Sequence, residues 1–147
     1  MHSYSRIFAC LDGSQAQESI ARKALALARV HKAELIFGHV IDSTGLEMAG
    51  SDILDLTHDL ERNFCDSIAD IVDEAKQCAD IPAVSIKTKL GRIHETLIED
   101  IITQCKPDLV VCGERGLSNI QYALLGSVST QLIRKLECDV LVAKTQA

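Results

Sequence analysis

The sequence predicts a doubly wound α/β fold, a single five-stranded parallel sheet with about four helices spread over its two faces. Three observations predict it. Short segments rich in Ile, Val, Leu and Phe alternate with longer ones whose apolar residues recur every three or four positions. The short segments are largely apolar or alternate apolar with polar residues, as strands beneath helical layers do. The chain has 147 residues, 47% apolar and 24% charged, which fits one domain, residues 1–147, with a self-sufficient core.

The first strand is read at residues 4–11, followed by the turn Asp12-Gly13-Ser14. Ser14 with Gln17 three residues later has the form of a capping box, and Ile20, Ala24, Leu27 and Ala28 give the helix it opens an apolar stripe. Residues 33–40 form the second strand. Residues 41–52, with Gly45 and Gly50, are the longest connection and are expected to be the most mobile segment. Ile53, Leu56, Leu60, Phe64, Ile68, Ile71, Val72 and Ala75 keep helical spacing and predict one long second helix. Residues 83–90 are the third strand, ended by Gly91, and Ile93, Leu97, Ile101 and Cys105 mark the third helix. Lys106-Pro107-Asp108 separates that helix from the fourth strand at residues 109–112. Gly126-Ser127 opens a fourth helix carrying Val128, Leu132, Ile133 and Leu136, and residues 138–143 form the last strand.

Composition excludes several classes of function. No apolar run approaches the ~20 residues of a membrane span, and residues 1–6 lack the pattern of a signal peptide, so a cytoplasmic protein with no membrane association is expected. The six cysteines contain no CxxC pair and sit mostly in apolar stretches, which suits buried thiols. With 15 basic and 21 acidic residues the net charge is −6, and aromatics are only 3%, so no nucleic-acid partner is expected. His94-Glu95 begins like a zinc-protease helix, but position 98 is Ile. His39, on an apolar strand, is read as a hydrogen-bonded structural residue, and His58 is placed on the polar side of the second helix. Neither Ser14 nor Ser127 lies in a G-x-S-x-G setting; both are read as helix caps.

In such sheets ligands bind beyond the carboxyl ends of the strands where the strand order reverses, which directs attention to Asp12, Val40 and the segment after Cys112. That segment runs Gly113-Glu114-Arg115-Gly116, nine residues, and then Gly126-Ser127-Val128-Ser129. Glycines let a ligand approach the main chain closely, and Gly-Ser at a helix start offers free amides where the dipole favours an anion. Arg115 could pair bidentately with phosphate. The dinucleotide fingerprint and the P-loop are both absent, as are SGGxDS and HIGH.

The spacing Gly113-x2-Gly116-x9-Gly126-Ser127 resembles the ATP-binding branch of the universal stress proteins, and the likeness spans essentially the whole chain, including Asp12-Gly13-Ser14 and His39-Val40. The resemblance implies a Rossmann-like layer of the adenine-nucleotide alpha hydrolase kind, strand order 3-2-1-4-5, and a homodimer paired through the last strand, residues 138–143. It also implies an ATP site. Asp12 resembles an acidic residue near the base, ribose or metal, with Mg as its candidate ion; Val40 resembles a residue whose backbone meets adenine. Gly113, Gly116, Gly126 and Ser127 match phosphate and ribose loops, continued by Val128 and Ser129, and Arg115 a basic position. Cys10, Leu11 and Cys112 complete the expected cofactor-binding set near the base, where the two cysteines depart from the small or aliphatic residues of the family and raise the idea of a thiol switch. Glu114 is a further departure, a carboxylate close to the phosphates.

The implied function is a cytosolic, nucleotide-dependent regulator of the stress response that binds ATP. A slow Mg-dependent ATPase and a dimeric scaffold with an impaired pocket are the alternatives. No catalytic residue is assigned, because one carboxylate without an evident general base is thin support for hydrolysis.

Overall fold

The computed structural model describes residues 3–114 and 127–144. Its strands are β1 (Arg6–Cys10), β2 (Glu34–Asp42), β3 (Val84–Gly91), β4 (Leu109–Gly113) and β5 (Asp139–Ala143). All pair in parallel, in the order β3-β2-β1-β4-β5. Asp108 sets the entrance to the central strand: its carboxylate accepts from the backbone amides of Ser5 (2.8 Å) and Arg6 (2.9 Å), tying the start of β1 to the residue before β4.

Helices cover both faces. Ile7, Ala9, Leu35, Phe37 and Val111 face one side, against Ile20, Ala24 and Ala28 of α1 (Gln17–His31), Phe64 of α2 (Ile53–Ser67) and Ile71 and Val72 of α3 (Ala69–Gln77). Phe8, Ile36, Val40, Val110 and Cys112 face the other. There they meet Leu97, Ile98, Ile101 and Ile102 of the helical segment α4, residues 93–105, and Leu132 of α5 (Ser127–Lys135). Alternate residues of β1, β2, β4 and β5 thus enter two separate cores, which is why these strands read as apolar runs, whereas β3 at the sheet edge sends only Val84 and Ile86 to the first core and alternates them with polar residues.

Among the described residues five helices stand where about four are expected, because the long second helix is two. The chain leaves helical geometry at Ile68 (φ −115°, ψ 8°), a residue only 1% exposed. The Ser67 hydroxyl donates to the Phe64 carbonyl at 2.6 Å just before the break. The bend divides the stripe: Phe64, Ile68, Ile71 and Val72 are buried, whereas Leu56 and Leu60 of the first half remain exposed. α4 is also irregular, with an α-turn at Ile93–Glu95, a π-helical stretch at Thr96–Ile102 and a last α-turn at Thr103–Cys105. The Thr103 hydroxyl donates to the Ile98 carbonyl five residues back (2.6 Å), within the wider turns of this segment.

Two details of the expected punctuation change. The Ser14 hydroxyl does not cap α1; it donates to Asp12, and the Gln17 side chain reaches back to the amide of Gly13 instead. The connection after β2 is folded into two short 3₁₀ segments, Ser43–Gly45 and Glu47–Asp52, and Asp42 caps the first by accepting from the Thr44 amide at 3.0 Å. His58 is exposed, as expected of the polar side of α2.

Candidate functional site

β1 and β4 are neighbours, yet β1 leads to α1 on one face of the sheet and β4 is followed by α5 on the other. The divergence opens a crevice at the carboxyl ends of the strands. Cys10, Leu11 and Asp12 reach it from the end of β1, His39 and Val40 from β2, Cys112 and Gly113 from β4, and Val128 from α5. Ala16, Gln17 and Ile20 close it from the start of α1, and Ile93 and Leu97 from α4. It is a narrow slot of about 50 Å³. A wider chamber of about 370 Å³ adjoins it, sharing Asp12, His39 and Val40 and extending to Asp42, Asn63 and Phe64.

Local hydrogen bonds fix the turn after β1. Asp12 Oδ1 accepts from the Ser14 amide (2.9 Å) and hydroxyl (2.6 Å). Gly13 adopts φ +80°, a conformation that a side chain resists, and its amide donates to Gln17 Oε1 at 2.9 Å. Gln17 Nε2 in turn donates to Ser67 Oγ at 2.9 Å, so one side chain joins the β1 turn to the end of α2.

His39 is held from two sides. Its Nδ1 lies 2.9 Å from the Leu11 carbonyl, and its ring stacks on Phe64 with centroids 4.2 Å apart and planes 14° apart. A carbonyl only accepts, so Nδ1 carries the proton and Nε2 keeps a lone pair. Burial lowers the pKa of this imidazole, outweighing the opposing effects of the Leu11 carbonyl and Asp12, so the ring is neutral at pH 7. The structural role expected of His39 is therefore present, and the ring also borders both cavities.

The thiols of the slot are electrostatically quiet. Burial, then the neighbouring Cys112 and Cys138, push the Cys10 thiol well above the ordinary range, and burial pushes Cys112 up to about 11. Both are thereby held toward the protonated thiol at neutral pH.

Of the residues expected at the site, Cys10, Leu11, Asp12, Val40, Cys112, Gly113 and Val128 come together around the slot. Ser127 is the first residue of α5, and Ser129, two residues on, is fully buried and off the slot lining. Arg115, Gly116 and Gly126 lie outside the described residues. The amide of Glu114 donates to the Ala143 carbonyl at 3.0 Å, prolonging the pairing of β4 with β5.

A family model described as the universal stress protein family matches residues 3–144. The chain belongs to that family. A universal stress protein of Staphylococcus saprophyticus, by its description, is 29% identical over 147 residues, covering 99% of this chain and 87% of its own. One of Staphylococcus haemolyticus is 26% identical with 99% and 88% coverage. Among solved structures, the universal stress protein UspA from Lactobacillus plantarum superposes with a TM-score of 0.79 at 23% identity, covering 97% of this chain and 99% of that one. A universal stress protein solved in complex with cAMP gives a TM-score of 0.64 at 23% identity, covering 99% and 100%. The five-stranded order found here is the order the family likeness implied.

Sequence reasoning missed the helical half of this universal stress protein's slot, Gln17, Ile20, Ile93 and Leu97. Gln17 and Ile20 share a helix face at i, i+3, and so could have been grouped beside the Asp12 turn. Among the described residues no three His, Cys, Asp or Glu side chains gather as a metal centre. Asp12 offers one carboxylate, with Oδ1 already accepting from Ser14. That donor set suits a hard cation such as Mg²⁺ only when bound phosphates supply most of the remaining ligands.

Proposed function

We propose that the chain belongs to the ATP-binding branch of the universal stress proteins and acts in the cytosol as a nucleotide-dependent regulator. Carrying the proposal is one observation: the slot lies where strand order reverses between β1 and β4 and takes in Val128 from the first turn of α5, bringing strand ends and a helix start to one place. Adenine sits beside Val40 and Leu11, and the phosphates run toward Gly113 and the start of α5. Asp12 is the carboxylate that would hold Mg²⁺ beside a bound nucleotide, where the ion would supply charge neutralisation. The cAMP complex of a solved relative supports the choice of an adenine nucleotide.

The chain forms a homodimer through β5. That strand is bonded to β4 on one side, and no strand among the described residues pairs with its other edge. Proteins usually cover such edges.

Calorimetric titration of nucleotide-stripped protein with ATP, with and without Mg²⁺, and analysis of the recovered nucleotide test the reading. Saturable binding with ATP recovered intact supports a regulator. Recovery of ADP, abolished in Asp12→Ala, would establish the slow ATPase instead. Absence of binding at millimolar ATP would leave the dimeric scaffold. Light scattering at micromolar concentration tests the dimer, and a monomeric mass refutes it.

A further inference from the structure

Deepening the nucleotide reading and resting on it, the geometry points to His39 as a specificity-determining residue: its imidazole, fixed by the Leu11 carbonyl and Phe64, offers Nε2 as an acceptor that selects ligands carrying an N–H or O–H donor beside the Asp12 turn.

Three observations converge on that nitrogen. The ring cannot turn freely, because Nδ1 is engaged by the Leu11 carbonyl and one face lies against Phe64. Swapping the two nitrogens would break the 2.9 Å hydrogen bond, so the tautomer is set by the backbone at the end of β1. Nε2 bonds no described residue, and the ring lines both the slot and the adjoining chamber. Nε2 is not sealed from solvent, so water meets its lone pair in the free protein; a ligand that displaces that water must supply a donor in its place, and an analogue lacking the donor leaves the acceptor unpaired.

The surroundings keep the ring an acceptor. The ionisable groups sharing the two cavities with it are the carboxylates of Asp12 and Asp42 and the protonated thiols of Cys10 and Cys112. From α1 and α2 the polar residues lining the same cavities are Gln17, Asn63 and Ser67, which are uncharged. No lysine or arginine stands among the described lining residues. Burial outweighs the nearby carboxylate and holds the ring neutral.

In an adenine nucleotide the donor comes from one of two sources, the exocyclic amine of the base or a ribose hydroxyl. Comparing ATP, inosine triphosphate and 2′- and 3′-deoxy-ATP separates them. The wild-type protein should bind the analogue without the relevant donor roughly three- to tenfold more weakly than ATP, the worth of one hydrogen bond. His39→Asn keeps an amide donor for the Leu11 carbonyl and removes Nε2; in it that discrimination should vanish. His39→Gln, which carries an amide to about the reach of Nε2, should retain part of it, and it stands in if His39→Asn fails to fold. A merely structural role would move all four affinities together. Wild-type affinity for ATP should also fall as the pH drops below the ordinary imidazole range, with that component missing from His39→Asn.

Equal discrimination in wild type and His39→Asn overturns the assignment while leaving ATP binding intact. Affinity that rises on acidification in the wild type alone would mean that an imidazolium recruits phosphate, and would overturn it too. Absence of ATP binding in the wild type fails the nucleotide reading and this inference with it.

Discussion

A single methyl group added at Gly38 should unseat β2 from β1. Gly38 lies opposite Cys10 in the parallel register, and the Leu11 amide donates to its carbonyl at 2.9 Å. The space a side chain would need is filled by the ring of Phe8, a residue with no exposed surface: a Cβ at position 38 would fall among three of its ring carbons. Phe8 is enclosed by the core that α4 and α5 lay on the sheet, so the ring cannot withdraw without moving Ile36, Val40 or Leu132. Overpacking a tight core costs about 1–3 kcal/mol, and a clash with the body of a planar ring belongs in the upper half of that range. For a chain of this length that lowers the melting temperature of Gly38→Ala by roughly 5–10 °C. Urea unfolding of wild type, Gly38→Ala, Phe8→Leu and the double variant gives the coupling directly. Phe8→Leu should cost less in the Gly38→Ala background than alone, by about 1–2 kcal/mol. If Gly38→Ala unfolds within about 0.5 kcal/mol of wild type, or if the two changes simply add, the packing argument is wrong.

The same geometry sets three further outcomes. The His39 imidazole has a pKa lowered by burial, so the unfolded chain takes up a proton that the folded one resists; stability is complete above the ordinary imidazole range and declines as pH falls below it, until the lowered folded-state pKa is passed. Unfolding curves across that window should lose this slope in His39→Asn. Cys10 and Cys112 should resist alkylation in the native protein at neutral pH and react once it is unfolded, and native labelling of either at the rate of a free thiol, read by mass spectrometry, would contradict their burial. Asp108→Ala should destabilise by about 1–3 kcal/mol, since the Ser5 and Arg6 amides both lose an ionised acceptor, and Asp108→Asn should recover part of that loss in chemical denaturation.

The strands were legible to within about two residues at either end because β1, β2, β4 and β5 must be apolar toward two cores at once, and β3 at the edge alternates apolar and polar residues with the period of a strand. Breaks inside helices were not legible. Ile68 is apolar and in phase with Phe64 and Ile71, and no glycine or proline announces that the chain bends there; the bend follows from how α2 and α3 meet the sheet. The π-helical turns of α4 were equally silent, since Thr103 reads as an ordinary helical residue until its hydroxyl is seen on Ile98. At the site, Asp12, Val40 and Gly113 followed from the rule of strand-order reversal, and Cys10, Leu11 and Cys112 from the family resemblance. Gln17, Ile20, Ile93 and Leu97 did not, because periodicity gives a helix its apolar face and only packing decides which part of that face meets a cavity rather than the core. Ser14 misled for a local reason: its hydroxyl had a carboxylate two residues back to bond, and took it in preference to the helix.

The strand order has a consequence for the growing chain. β1 is made first yet sits in the middle, with β2 on one side and β4 on the other. During synthesis β1, β2 and β3 can pair as soon as residue 91 has emerged, but the partner of the other edge of β1 begins only at Leu109. Until then Ile7, Phe8 and Ala9, fully buried in the finished molecule, border an open ladder of backbone groups. Closing that ladder joins residues about a hundred positions apart, the kind of contact that makes folding slow. The interval between β3 and β4 is therefore when a nascent chain is most exposed to pairing with another copy of itself, and when a holding chaperone has most to protect.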